Sequence, residues 1–378
     1  MLGVAEVAAR ALRSSRGAGK EADEQSLYTS YDPLLGWSKR PGARAAYRRR
    51  EYTVEVAING RGLRDPARPY HAPAGTVRLL ALGDSFLEGY TVPLPQTATQ
   101  VLEAELRAEG CRAEVLNGAT AAYSTDQEYL FFRSEGARYR PRVVVLFFYY
   151  NDLVYNDRQD YFGLPKPALT MVGSSVKLHR YPVRRRAGAP AAPADREEPE
   201  GGGSALRELV RERLWHGAPW LHDALARLGL WPSMPRLPVR LELRVFERRR
   251  IPQIEQAWAK TGALLLALQA AAEAEGARLL VAYVPSRMEV DERTWTLSRR
   301  LYGMDAAKWD RRAVARRLAV LGRQAGFPVA DLTAALRRAD EPAYFVYDGH
   351  WTAAGHRAAA RAVRQRLREL RWLQECGG

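Results

Sequence analysis

Val143-Val-Val-Leu-Phe-Phe148 is an unbroken apolar run, and Tyr149-Tyr150-Asn151-Asp152 closes it. A strand with one wet face alternates polar and apolar residues; a run without a polar position needs cover on both faces, as in the centre of a parallel sheet. Working outward, further short strands are expected at Val77–Leu82, Ala113–Leu116, Arg278–Val284 and near Val329–Leu332. Helical stretches fall between and after them, at about Thr97–Glu109, Thr125–Arg138, Gln253–Glu275, Ala306–Ala325 and Ala353–Leu370. Strand and helix in alternation predict an α/β protein, a flavodoxin-like three-layer α/β/α sandwich with a mostly parallel sheet.

That sheet accounts for about residues 76–156 and 251–372 of a 378-residue chain. Residues 27–75 read as a β-rich leader: Tyr52-Thr-Val-Glu-Val-Ala-Ile58 alternates with period two and runs into Asn59-Gly60, a hairpin signal. Residues 1–26 read as a disordered or short helical tail. Residues 157–250 read as a long insertion, with a disordered middle at Ala187–Ser204 and flanks carrying Trp215, Trp220 and Trp231 that suggest a cap.

Composition excludes several classes. Hydrophobic residues make up 47% and charged residues 27%, as in a chain that buries a core. Cys111 and Cys376 are too few for a disulfide framework, a cysteine-rich zinc site or an iron–sulfur cluster, so packing alone is expected to hold the fold. The net charge of +15 comes mostly from arginine, and no zinc-finger, RNP or basic-zipper pattern accompanies it, so no nucleic acid partner is expected. No apolar run approaches the roughly 20 residues of a membrane span. The start, Met1–Arg10, is interrupted by charge, so the expectation is a cytoplasmic chain without an integral membrane segment; a misassigned start leaves a periplasmic or anchored protein open. Oligomeric state is not legible.

Four segments carry candidate chemistry. Gly83-Asp84-Ser85-Phe86 follows the strand at Val77–Leu82, where an open parallel sheet presents side chains to a cleft; the competing reading of Ser85 is a helix cap. Tyr347-Asp348-Gly349-His350-Trp351-Thr352 lies on a loop before a helix that Thr352 caps. A serine hydroxyl needs a base to take its proton and an acid to orient that base, and Asp348 and His350 supply both types. His356, inside the helix, reads as structural. Asn151 stands at the end of the strongest strand, where its amide can donate to a developing oxyanion or simply make a turn. Asn117-Gly118-Ala-Thr-Ala-Ala122-Tyr123 is a small-residue loop with free backbone N–H groups, and Thr125 with Glu128 reads as a capping box after it. The turn at Gly83–Gly89 lacks Gly-x-Gly-x-x-Gly and a phosphate-loop lysine, which excludes nucleotide binding there.

Taken in order, these blocks resemble the SGNH, or GDSL-like, hydrolase superfamily, whose motifs carry a serine, a glycine, an asparagine and a histidine. Ser85 matches the nucleophile, Asn151 the oxyanion asparagine, and Asp348 with His350 the acid and base. The family's glycine falls on Ala122, with Gly118 out of register; a backbone donor there survives the exchange if φ is negative. The spacing Asp348-Gly349-His350 is shorter than the family's Asp-x-x-His and is similar to that in proteins that O-acetylate bacterial exopolysaccharides such as alginate, whose motif order differs. The resemblance implies ester hydrolysis through an acyl-serine, on a small-molecule or carbohydrate ester and without metal or cofactor. Two alternatives stay open: acyl transfer to a glycan, favoured if Trp215 and Trp220 line a groove, and a non-catalytic binding or scaffold protein.

Overall fold

The computed structural model describes residues 27–161, 163–172, 175–185, 206, 210, 214, 218–231 and 236–373. The tail at 1–26, the insertion's middle at 187–204 and Trp215 lie outside the described residues. Five strands form one sheet: β1 (Val77–Gly83), β2 (Ala113–Asn117), β3 (Val143–Tyr149), β4 (Arg278–Val284) and β5 (Val329–Asp331). Their order is β5-β4-β3-β1-β2 and every pairing is parallel, the flavodoxin-like arrangement.

Side chains along a strand point alternately to its two faces, and the packing divides accordingly. Leu80, Leu82, Val144, Leu146, Phe148, Leu279 and Val281 face a core completed by α2 (Thr125–Ser134) and α3 (Pro252–Ala274). Leu79, Ala81, Val145, Phe147, Leu280 and Ala282 face the other way, onto α1 (Ala98–Ala108) and α5 (Ala353–Glu369). The predicted α/β/α sandwich is the observed fold, and a β-rich leader precedes it. In that leader, Thr29–Asp32 pairs with Gly36–Lys39 and Arg44–Arg48 with Thr53–Ala57, both antiparallel.

The structure corrects local expectations. Strand Thr53–Ala57 is the second arm of its hairpin, so the turn lies at residues 49–52 and not at Asn59-Gly60. Asn59 instead accepts from the backbone N–H groups of Arg61 and Leu63 through Oδ1, closing a separate turn. Helix α4 (Ala313–Ala325) starts later than about Ala306, because Asp310 takes the Arg312 N–H and makes a turn first. A helix at Glu292–Tyr302, capped by Asp291 and closed by Gly303 at φ +63°, was not legible in the sequence. Nor was the antiparallel hairpin Ala168–Val172 with Ser175–His179 inside the insertion. Cys111 is disulfide-bonded, which corrects the expectation of a fold held by packing alone.

Candidate active site

Ser85 follows β1 with only Asp84 between them. Asp84 is the N-cap of the turn Ser85–Glu88, its carboxylate accepting from the Phe86 N–H at 2.9 Å. The capping role is therefore taken by Asp84, and the Ser85 hydroxyl is left for another partner. That partner is His350: Ser85 Oγ lies 2.8 Å from Nε2. His350 Nδ1 lies 2.6 Å from Asp348 Oδ1, which also accepts from the His350 backbone N–H at 3.1 Å. The short Asp-x-His spacing closes because Gly349 sits at φ +80°, a conformation a side chain resists. A neutral His350 with its proton on Nδ1 leaves Nε2 to accept from the serine. Burial pushes the Asp348 carboxyl up, but hydrogen bonds from His350 and Tyr52 outweigh it and hold the group at about 2. The imidazole is flanked by Phe86 and Tyr90, at ring distances of 4.7 and 5.3 Å.

Ala122 adopts φ +67°, the left-handed conformation in which glycine is at ease. The condition of a negative φ is thus not met; the alanine holds a glycine geometry under strain, at a cost of about 1–2 kcal/mol. Its neighbours hold it there. The Ala121 N–H donates to Glu88 Oε2 at 2.6 Å, and the Ala121 carbonyl accepts from Trp37 Nε1 at 3.1 Å. Lys39 Nζ donates to the Ala119 carbonyl and to Thr120 Oγ1, and Tyr28 donates to Glu88 Oε1. The Thr120 N–H donates to the Gly83 carbonyl at 3.1 Å, tying this loop to the end of β1. Gly118 serves packing: a Cβ there would meet the Phe131 ring at 2.9 Å.

Asn151 follows β3, the neighbour of β1, so it leaves the same end of the sheet as Ser85. Its side chain makes no cap bond, and its Oδ1 is buried without a partner among the described residues. Beneath it the Thr125–Glu128 capping box does not form. Ser124 is the N-cap, and Glu128 is buried with its carboxyl raised well above the ordinary range, by burial first and then by Asp152. Lys166 pairs there with Asp126 at 3.0 Å, both side chains buried. His356 is buried, Nδ1 accepting from the Ala98 N–H at 3.2 Å, and burial lowers it to about 3. It is structural, as expected, and Thr352 caps α5 through its side chain. Trp220 is 72% exposed. Among the described residues no group of three His, Cys, Asp or Glu is arranged to hold a metal ion.

The structure thus brings Ser85, His350 and Asp348 into one hydrogen-bonded line, with the Ala122 loop and Asn151 on the strands either side of β1. Sequence reasoning missed the leader's part: Tyr28, Trp37, Lys39, Glu51 and Tyr52 all bond to the loops that carry these residues. Residues 246–378 match a family model described as the SGNH hydrolase-like domain of the acetyltransferase AlgX. The chain resembles the SGNH hydrolases. The matched segment contains Asp348 and His350, while Ser85, Ala122 and Asn151 precede it. No curated protein sequence matches the chain. Among solved structures it is similar to TesA, at 14% identity over 78% of this chain and 99% of that one, TM-score 0.35. It is similar to a catalytic mutant of Axe2, an acetylxylan esterase from Geobacillus stearothermophilus, at 12% identity over 80% of this chain and 94% of that one, TM-score 0.36. A lipase/acylhydrolase from Enterococcus faecalis is similar at 12% identity over 78% of this chain and 96% of that one, TM-score 0.34.

Proposed function

We propose that this protein is a serine ester hydrolase that works through an acyl-serine intermediate on small-molecule or carbohydrate esters. What carries this reading is the unbroken path from Ser85 Oγ to His350 Nε2 at 2.8 Å and from His350 Nδ1 to Asp348 Oδ1 at 2.6 Å. In the first step Ser85 Oγ attacks the ester carbonyl as His350 Nε2 takes its proton, and Asp348 stabilises the imidazolium. The N–H groups of Ser85 and Ala122 and the Asn151 amide donate to the oxyanion. Collapse expels the alcohol, protonated by His350, and leaves the acyl group on Ser85. Water then attacks that ester, with His350 again as base, and releases the acid.

Release of p-nitrophenol from acetyl and longer acyl esters tests this directly. Ser85→Ala is expected to lower kcat/KM by about 10³-fold or more. Parent-rate turnover by that variant removes the proposal.

A second reading hands the acyl group to a glycan hydroxyl in place of water. The AlgX-type match over the segment bearing Asp348 and His350 favours it. Incubating an acetyl ester with candidate glycans separates the two: an O-acetylated glycan supports transfer, and acetate release alone supports hydrolysis. Folded protein that a fluorophosphonate fails to label at Ser85 would leave the non-catalytic scaffold. The left-handed backbone kept at Ala122 weighs against that outcome, since a loop with no oxyanion to meet has no use for the strain.

A further inference from the structure

The candidate acid, Asp348, is held by a turn nearly three hundred residues away in the chain. In the leader, the backbone groups of Arg49 and Tyr52 bond to each other and close the hairpin between Arg44–Arg48 and Thr53–Ala57. The tip of that turn does two things. Tyr52 donates its hydroxyl proton to Asp348 Oδ2 at 2.6 Å. Glu51 accepts three consecutive backbone N–H groups, those of Val346 at 2.7 Å, Tyr347 at 2.8 Å and Asp348 at 2.9 Å. The Tyr52 ring is fixed in turn by Tyr47, at 5.9 Å and nearly parallel, and by Phe345 at 4.9 Å.

We propose that the leader turn Glu51–Tyr52 positions the acid of the candidate triad, Tyr52 by locking the rotation of the Asp348 carboxylate and Glu51 by fixing its backbone. A carboxylate on a loop has two equivalent oxygens and turns freely about its last bond. With Oδ2 bound to Tyr52, Oδ1 is the oxygen left to face His350 Nδ1, in line with the serine. Glu51 completes the hold, because three N–H groups of an otherwise exposed segment converge on one side chain. A purely structural hairpin would need neither a hydroxyl on the acid nor a carboxylate beneath its peptide. This inference rests on the triad reading.

The experiment compares wild type, Tyr52→Phe, Glu51→Ala and Ser85→Ala by the NMR titration of the His350 ring in resting protein, and by kcat, KM and melting temperature. The groups facing His350, namely Ser85, Asp84, Tyr90, Asp348 and His356, are unchanged in Tyr52→Phe and Glu51→Ala. Without the Tyr52 hydroxyl the Asp348 carboxylate is free to turn from His350 Nδ1 and holds the imidazolium less strongly. The His350 titration and the acidic limb of kcat/KM should therefore move down by roughly half a unit or more. The kcat of Tyr52→Phe should fall on the order of tenfold with KM near wild type, as a displaced orienting group requires. Glu51→Ala should lower kcat likewise, and gives the second reading if Tyr52→Phe folds poorly. An unshifted His350 titration with wild-type kcat in both variants overturns the positioning role. Undiminished Ser85→Ala activity overturns the triad instead, and the resting titration still reports whether Tyr52 governs the His350–Asp348 pair.

Discussion

Two loops flank Ser85, and the leader holds them in opposite ways. Residues 119–123, which carry Ala122, are buried throughout, and the side chains that grip them, Lys39, Trp37 and Glu88, are themselves buried. Residues 346–350, which carry Asp348 and His350, are half-buried or exposed, with Val346 at 58% and Tyr347 at 55%. One loop is locked from inside by groups that water cannot replace; the other is tethered at the surface by Glu51 and Tyr52. In the proposed mechanism an oxyanion donor gains from being immobile before charge develops, whereas the base must accommodate a proton arriving from the serine. Burial suits the first and a hydrogen-bonded tether the second.

At neutral pH, breaking the inner lock should have the largest effect on stability. Lys39→Met keeps the stem but leaves the Ala119 carbonyl and Thr120 Oγ1 without their donor in a buried site. We expect a loss of about 1–3 kcal/mol in urea unfolding, together with lower activity per folded molecule. An unchanged midpoint would mean that the loop does not depend on the leader.

A pH experiment sharpens the contrast behind the outer loop, where His356 packs against Trp351. Burial lowers His356 to about 3 in the folded chain from 6.5. Below 6.5 the unfolded chain takes up this proton and the folded chain does not, so stability is full above 6.5 and is lost as pH falls toward 3. The slope attributable to this one group is about 1.4 kcal/mol per pH unit. His356→Asn keeps an acceptor for the Ala98 N–H, and melting curves between pH 4 and 7 should show its stability falling less steeply than wild type.

The smallest effect is expected where the inner loop stores its strain. Ala122→Gly relieves a left-handed alanine but adds freedom to the unfolded chain, so a net gain of about 0.5 kcal/mol with activity retained is expected. Differential scanning calorimetry reads it, and a loss of stability would show that φ +67° is not a burden there.

Much of the sheet was legible because its strands are short, mostly apolar runs, the central one with no charged residue at all. Val143–Phe148 and its neighbours have no other place to go than between two layers of helix, and the observed strands match those read from the runs. The residues of the hydrogen-bonded line were legible by type and order, since few arrangements of serine, aspartate and histidine suit strand ends and a pre-helical loop. What was not legible is pairing at a distance. Alternation at Tyr52–Ile58 signals a strand but says nothing of a carboxylate 296 positions away. Glu88 stands in the turn after the first strand, and only the fold gives it Tyr28 and the Ala121 N–H. The capping box does not form because Ser124, next to Thr125, is the N-cap and its hydroxyl donates to Asp126 rather than capping the helix.

The separation of 265 positions between Ser85 and His350 also has a consequence in time. A chain made from its amino end completes the leader, the serine turn and the inner loop while Asp348 and His350 are still to be synthesised. During that interval the serine hydroxyl has no imidazole within reach. A chain interrupted before His350 therefore carries Ser85 without the imidazole that its hydroxyl meets in the finished fold.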